Sequence, residues 1–367
     1  MQALITGVGS GVGQSVIKSL RMSGLDIQIV GVDMTPFNAG LYACDKGYLV
    51  PRADSPEYGE RLLQIIDKEK IDILFPGTDT ELPYLADMKD TFEQLGCKSV
   101  IGSAESIRVV RNKMECAAFF RERGFPFVPT VYVRDIKLLH DRIGFPIIVK
   151  PTGGSGSSGV SVITKLEELG VFEEEQEEFI AQQFLVPQSW NKRPEEVTLH
   201  DIYKGGLLNQ QDEISIQIVL GRNAEVLGVF MSKNELKAGF PMKVVPFRDD
   251  DLEDLGVKMA LVLAHIGLVG PCNLQCRMTE DGPVFFEINT RFTGITGMRA
   301  AMGFNECEAM VKRLVLEEDE QTVRKSLQYE DGWLCARYVT EVMMRKADVE
   351  QLGISGETEA KGKALSL

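Results

Sequence analysis

The chain is poor in the residues that most often mark a metal or redox centre: it has three histidines, two tryptophans and seven cysteines among 367 residues. The cysteine number is odd and no CxxC occurs, so neither a disulfide framework nor a zinc ribbon is indicated. Cys272 and Cys276 read as buried thiols. His140, His200 and His265 fall on separate predicted elements with no shared metal spacing. Positive charge is also short, with 40 Lys and Arg against 54 Asp and Glu and a net charge of −14. That balance argues against nucleic acid or an anionic membrane as the main partner, although a local basic pocket can still hold a phosphate. No apolar run approaches the ~18 residues of a membrane helix. A strand begins within two residues of Met1, with no basic region leading an apolar core, so the expectation is no signal peptide and a reducing cytoplasm. There is no internal repeat.

What is present suits a folded protein of two or three domains: 44% hydrophobic and 26% charged residues over a length too great for one ordinary core. In the first third, apolar strands at 2–6, 27–33, 71–76 and 98–101 alternate with helical periodicity at 12–20, 58–69 and 80–95. Such alternation predicts a parallel sheet covered by helices on both faces, ending near Ser106. Further on, a single helix is expected over 107–124, another over 135–143, and strands at 145–150, 160–163 and 179–185. Residues 187–212 are polar, with two prolines and a glycine pair, and read as a long irregular loop, either a functional lid or a disordered segment. Strands at 213–220, 224–232 and 240–247 continue an antiparallel sheet. A helix with an acidic first turn follows over 251–266. A last helix over 305–316 precedes a final strand over 333–343, and 353–367 reads as a loosely held tail.

Three stretches carry chemistry. The turn TGVGSGVG at 6–13 does not fit GxGxxG, because position 12 is valine. It does fit TGxxxGxG through Gly7, Gly11 and Gly13, the short-chain dehydrogenase pattern, with Asp33 placed about where a ribose-binding acid would sit. The YxxxK pair of that pattern occurs only as Tyr42 and Lys46, too soon after the glycines. A tight strand-to-helix turn is the plain alternative.

The second stretch is Lys150 followed by TGGSGSSGV at 152–160, between two strands. Glycines there let backbone N–H groups approach phosphate oxygens, serines can donate, and Lys150 supplies charge. It is not a Walker A loop, which needs GKS or GKT opening a helix. A flexible surface loop is the competing reading.

The third stretch is GPCNLQCRMTEDGPVFFEINTRFTG at 270–294, a predicted hairpin. A three-residue loop at 280–282 with Gly282 left-handed pairs Thr279 with Pro283, Gln275 with Glu287 and Asn273 with Asn289. Gln275, Glu287 and Asn289 then share a face as a hard-oxygen cluster suited to Mg²⁺ on a nucleotide phosphate. A two-residue loop would put Gln275 on the opposite face and break the site. An ordinary hairpin with polar residues facing water is the alternative.

The order of these features resembles the ATP-grasp superfamily, most closely its carbamoyl-phosphate synthetase and biotin carboxylase branch, over nearly the whole chain from Gln2 to about Glu317. The resemblance implies an α/β protein: a Rossmann-like pre-ATP-grasp domain at 1–106, then an ATP-grasp α+β fold of two subdomains. These are a small lid at 107–186 and a large subdomain with the metal site at 187–330, followed by a C-terminal strand and tail at 331–367. In that family the glycine turn does not bind NAD.

Residue by residue, the resemblance implies that Lys113 and Lys150 contact nucleotide phosphates. Gly153, Gly154, Ser155, Gly156 and Ser157 belong to the mobile loop that closes over them. Gln182, Gln183 and Leu185 form the hinge at the adenine edge, and Glu213 binds ribose hydroxyls. Gln275, Glu287 and Asn289 ligate Mg²⁺, with Mn²⁺ as an alternative. Arg291 stands beside the acyl-phosphate site, and Lys243 sits where biotin carboxylase has a lysine near its bicarbonate chemistry.

Two positions depart from the pattern. Glutamine replaces the usual hinge glutamate at 182 or 183. Gln275 replaces a frequent glutamate, keeping the oxygen but dropping a charge. No family role transfers to the 187–212 insertion.

The implied activity is a cytoplasmic ATP-dependent carboxylate–amine ligase acting on small molecules, with no nucleic-acid or membrane partner and with a homodimer left open. Acceptor groups are expected between the 77–81 loop, at Asp79 and Glu81, and the segment from Arg291 to Arg299. A non-ligating nucleotide-binding protein and an NAD(P)-dependent oxidoreductase are the alternatives.

Overall fold

A computed structural model describes residues 1–153, 159–172, 178–204, 207–237, 240–330, 332–338, 341–359 and 361–364. Its first five strands are β1 (Gln2–Ile5), β2 (Gln28–Asp33), β3 (Lys46–Leu49), β4 (Ile73–Phe75) and β5 (Lys98–Ser99). They form a parallel sheet in the order β3-β2-β1-β4-β5. The alternation within β1 divides it between two cores: Ala3 and Ile5 join one apolar cluster and Leu4 the other. A strand buried on both faces must read as an unbroken apolar run, which is how this sheet is visible in the sequence. β3 was not anticipated; KGYL carries a lysine and a glycine and is too short to show a period.

The next region holds a four-stranded antiparallel sheet of β6 (Thr130–Tyr132), β7 (Ile147–Pro151), β8 (Ser161–Ile163) and β9 (Phe179–Gln183), ordered β6-β9-β7-β8. The single helix expected over 107–124 is two helices, Ala104–Arg111 and Lys113–Glu122. Asn112 leaves helical geometry between them, and its side chain accepts hydrogen bonds from the Met114 and Glu115 N–H groups. An N-cap of this kind offers the backbone a competing partner and starts a new helix. Lys113 is therefore the first residue of a helix and not a mid-helix residue.

The 187–212 segment is not irregular. It contains helical turns at Gln188–Trp190, Pro194–Glu196 and Leu199–Ile202, and a small hairpin of β10 (Tyr203–Lys204) and β11 (Leu207–Leu208). Thr198 and Asp201 form a reciprocal capping pair, which lets a polar stretch order itself with little apolar burial.

The large antiparallel sheet comprises β12 (Glu213–Leu220), β13 (Val226–Lys237), β14 (Phe240–Phe247), β15 (Gly270–Thr279), β16 (Gly282–Asn289) and β17 (Cys335–Ala336), in the order β16-β15-β12-β13-β14-β17. Ile214, Ile216 and Ile218 of β12 pack with Met259, Ala260 and Leu263 of the helix Asp250–His265. The opposite face is covered too. Gln217 is fully buried, donating to Glu306, whose other oxygen accepts from the buried Arg299.

Phe292, Ile295, Phe304 and Met310 pack into the same cluster as Ala3, Ile5 and Phe75, so one core joins the parallel sheet to the large subdomain. The C-terminal region departs from expectation. In place of one strand over 333–343 there are β17 and β18 (Val342–Met343). The expected loose tail includes the end of a helix, Lys346–Ser355, then β19 (Glu357–Thr358), which pairs antiparallel with β3 at the edge of the first sheet. β20 (Lys363–Ala364) pairs with β18.

Candidate functional site

The hairpin of β15 and β16 reaches the expected pairing by a different route. Gly282 is left-handed, at φ 97°, as a loop of this kind requires. Beside the turn, however, Thr279 pairs with Gly282, Arg277 with Val284 and Cys276 with Phe285. This is the two-residue pairing that would separate Gln275 from Glu287. A β-bulge then shifts the register between Gln275 and Cys276, and beyond it Gln275 pairs with Glu287 and Asn273 with Asn289. The extra residue is Phe286. Bulges re-aim side chains beside functional sites, and here Phe285 enters the core while Phe286 joins Glu287 in lining the cleft. No turn-counting rule could reveal the bulge.

Glu287 and Gln275 border a cleft of about 180 Å³ together with Lys113, Lys150 and Glu213. Asn289 lies against Glu287, its amide donating to the carboxylate at 3.1 Å. Lys150, at the end of β7, is buried, 7% exposed, with its ammonium 6.0 Å from the Phe286 ring centroid. Burial pushes its pKa down to about 8, with Glu287 opposing the shift and Lys113 adding to it. Burial also lowers Lys113, against the pull of Glu287 and Asp79. The Lys113 N–H donates to the Thr152 carbonyl, tying the helix start to the strand that carries Lys150. Two buried lysines facing one carboxylate leave an excess of positive charge that suits a ligand with several negative charges.

The hinge residues Gln182, Gln183 and Leu185 line the same cleft. The Gln182 amide is turned into the small sheet, donating to the Thr130 hydroxyl at 2.9 Å, and its backbone lies on an interior strand paired with both β6 and β7. Glu213 pairs across strands with Arg277, and their side chains form an ion pair. Burial raises the Glu213 carboxyl, and Arg277 counters that rise. Gly153 lines the cleft, whereas Gly154, Ser155, Gly156 and Ser157 lie outside the described residues.

A second cavity, of about 420 Å³, adjoins the first and shares Glu213, Gln275, Phe286 and Glu287 with it. Its other walls include Asn289, Arg291, Arg337 and the helix start at Gly11 and Val12. Arg291 is buried and bridges to Asp79 at 2.5 Å, so the 77–81 loop and the Arg291 segment do meet. The Nε–H groups of Arg291 and Arg337 are buried without a hydrogen-bond partner among the described residues.

Three expectations are corrected here. Glu81 does not face this cavity; it is buried and accepts from the hydroxyls of Thr6 and Tyr58 and from the Gly77 and Thr78 N–H groups. Arg299 is wholly buried and paired with Glu306, so it too is structural. Lys243 is not brought to the site: its ammonium pairs with Glu235 at 2.9 Å on the neighbouring strand.

In the glycine turn the polar side chains are spent on the turn itself. Asp33 accepts from the Gly9 N–H at 2.9 Å, and the Asn38 side chain fills the space where a Cβ on Gly9 would go. Arg277, Phe286, Asn273 and Arg337 were missed. Strand alternation from Gln275 does place Asn273 and Arg277 on the site face, so that signal was available. Nothing in the sequence pointed to Arg337.

A parallel-sheet domain, a four-stranded sheet and a large antiparallel sheet, with lysines from two elements facing a Gln…Glu-x-Asn hairpin across a cleft, define an ATP-grasp fold. The comparisons agree. Residues 3–101 match the family described as "PylC-like, N-terminal domain", and residues 208–333 match "ATP-grasp in the biosynthetic pathway with Ter operon". The chain is 22% identical to the mitochondrial arginine-specific carbamoyl phosphate synthase large chain of Neurospora crassa, over 77% of this chain and 23% of that protein. It is 24% identical to the carbamoyl phosphate synthase large chain of Methanothermobacter thermautotrophicus, over 76% of this chain and 26% of that one.

In fold it is similar to the biotin carboxylase domain of Hydrogenobacter thermophilus 2-oxoglutarate carboxylase, solved with MgADP and bicarbonate. The TM-score is 0.62 at 14% identity, covering 89% of this chain and 72% of that one. The chain has the ATP-grasp fold, and its sequence is similar to carbamoyl-phosphate synthase large chains. It spans about a quarter of the length of those two curated relatives. No helix among the described residues is long and apolar enough to cross a membrane.

Proposed function

We propose that the chain is an ATP-dependent ligase that joins a small carboxylate, amino acids among the candidates, to an amine through an acyl phosphate. The observation that carries this reading is that Glu287 borders both cavities, so one carboxylate adjoins the lysine-lined cleft and the larger cavity beside it. The donor set fits a divalent cation. Glu287, Asn289 and Gln275 offer hard oxygens with only one formal charge, which suits Mg²⁺ or Mn²⁺ that arrives already bound to phosphates. When bound, the cation supplies further neutralisation of phosphate charge.

The chemistry asks the protein to bring two anions together. A substrate carboxylate oxygen attacks the γ-phosphorus of ATP, the bond to the bridging oxygen breaks, and ADP leaves with that electron pair. An amine then attacks the carbonyl carbon of the acyl phosphate and phosphate departs. Lys113 and Lys150 hold the phosphate chain, and Arg291 neutralises the carboxylate and the departing phosphate. Arg291 lines the larger cavity, which gives it access to such an oxygen. Positioning and charge neutralisation of this kind contribute about 3–4 kcal/mol per donor.

The test is ADP release from Mg·ATP across a panel of amino acids and small carboxylates, each with and without an amine. Turnover that depends on a particular acceptor, and that is lost in Glu287→Ala and Lys150→Ala, supports the reading. Near-normal ADP release by either purified variant refutes it. Binding of Mg·ADP without turnover on any acceptor would leave a nucleotide-binding protein that does not ligate.

A further inference from the structure

Arg277 is a buried cation that neither the phosphates nor the acceptor chemistry require. It is 5% exposed, and a charge so placed needs partners to be tolerated; both Nη atoms are engaged, while its Nε–H is buried with no hydrogen-bond partner among the described residues. Its partners come from three separate segments. Nη1 donates to the Leu185 carbonyl at 2.8 Å, at the end of the hinge. Nη2 donates to the Asn209 carbonyl at 2.9 Å, within the 187–212 insertion, and also to the Glu213 carboxylate. Its guanidinium carbon lies 5.6 Å from the Phe184 ring centroid, and Trp190 of the insertion stacks on the same Phe184, with ring centroids 6.0 Å apart. A planar fork spreads its donors over two nitrogens and so reaches acceptors on separate segments while resting on a ring; the three donors of a lysine radiate from one atom and span less.

Glu213 accepts through Oε1 and lines both cavities, so Arg277 fixes the direction in which its carboxylate faces the cleft. The insertion is seated by the same contact. Gln210, next to Asn209, borders both cavities, and its side-chain oxygen accepts from the Leu236 N–H at 3.3 Å.

We propose that Arg277 is a positioning residue that aims Glu213 at the ribose hydroxyls and locks the 187–212 insertion to the hinge, so that nucleotide binding orders the insertion as a wall of the acceptor cavity. The inference rests on reading the smaller cleft as the nucleotide site. Arg277 also borders the smaller cleft, with both Nη atoms committed to protein oxygens. Its effect passes through Glu213 and through the insertion backbone.

The experiment titrates the intact protein calorimetrically with Mg·ADP and with Mg·2′-deoxy-ADP. Wild type, Glu213→Gln, Arg277→Lys and Arg277→Met are compared, and hydrogen exchange over 188–204 is followed with and without Mg·ADP. Wild type should prefer ADP by about tenfold or more, as expected of a site built to bond a hydroxyl. Glu213→Gln should erase that preference. Arg277→Met should bring it within twofold, and Arg277→Lys should cut it at least threefold. Mg·ADP should slow exchange in the insertion of wild type but not of either Arg277 variant.

A general loss of packing would weaken both nucleotides equally and leave their ratio intact. A wild-type ratio in folded Arg277→Lys, no wild-type preference for ADP, or insertion exchange indifferent to Mg·ADP in wild type overturns the proposal. If Arg277→Met does not fold, Arg277→Lys decides. Wild type that binds no Mg·ADP at all removes the nucleotide reading itself.

Discussion

Lys150 should weaken the empty protein that it serves. Its ammonium is buried beside Phe286, with the Glu287 carboxylate opposing only part of the cost of burial. The ordinary lysine value of 10.5 falls to about 8 in the folded state. Below about pH 8 the lysine is charged in both folded and unfolded chains, and the whole cost of burying that charge falls on the folded state. Between about pH 8 and 10.5 the folded protein has lost the proton and the unfolded chain still holds it, so stability rises with pH across that window. The lowering corresponds to about 3 kcal/mol at pH 7.

Lys150→Met keeps most of the side-chain volume and removes the charge. It should therefore raise the unfolding free energy of the nucleotide-free protein by up to about 3 kcal/mol at pH 7, with the gain shrinking towards zero near pH 10.5. Urea denaturation of both proteins at pH 7 and pH 10, without nucleotide, measures this directly. With Mg·ADP at a hundred times its dissociation constant, wild type should recover about 2.7 kcal/mol and the variant almost none. A variant less stable than wild type at pH 7, or a difference that does not change with pH, would refute the argument that the site stores the cost of an unpaired buried cation.

The bulge makes a paired prediction on adjacent phenylalanines. Phe285→Ala should cost about 3–5 kcal/mol of stability, because Phe285 is fully buried; Phe286→Ala should cost under about 1.5 kcal/mol while weakening Mg·ADP binding about tenfold through the lost contact with Lys150. Denaturation and calorimetry on the two variants check this, and the reverse pattern would mean the ladder runs without the extra residue. For Glu81, replacement by alanine strands the Tyr58 hydroxyl and the Thr78 N–H, while the Gly77 N–H keeps the Thr6 oxygen and the Thr6 hydroxyl keeps the Phe75 carbonyl, and it should lower stability by about 2 kcal/mol or more in urea denaturation; a loss under about 1 kcal/mol would return Glu81 to the acceptor site.

How much of this was legible varies with the kind of physics involved. The parallel sheet was, because Ala3, Leu4 and Ile5 must all be apolar when helices cover both faces. The pairing of Gln275 with Glu287 was also anticipated, yet for an incomplete reason: the turn alone does not produce it, and the bulge at Phe286 depends on packing between Phe285 and the core. Asn112 looked like a mid-helix residue because apolar periodicity continues through it, and the cap that splits the helix is a local hydrogen-bond choice. Glu81 and Arg299 had the right chemistry and neighbourhood for substrate, but burial spends their hydrogen bonds inside the fold. The 187–212 insertion was opaque for the opposite reason. Its order comes from caps, from Trp190 on Phe184 and from Arg277, and none of these leaves an apolar period.

The central claim is that Gln275, Glu287 and Asn289 present oxygens to a divalent cation carried by a nucleotide. Electron paramagnetic resonance of Mn²⁺ titrated into the protein with and without ADP tests it most directly. Tight Mn²⁺ binding should require ADP in wild type and fall by roughly 100-fold or more in Glu287→Ala. Mn²⁺ binding that ignores ADP, or that survives in Glu287→Ala, would contradict it.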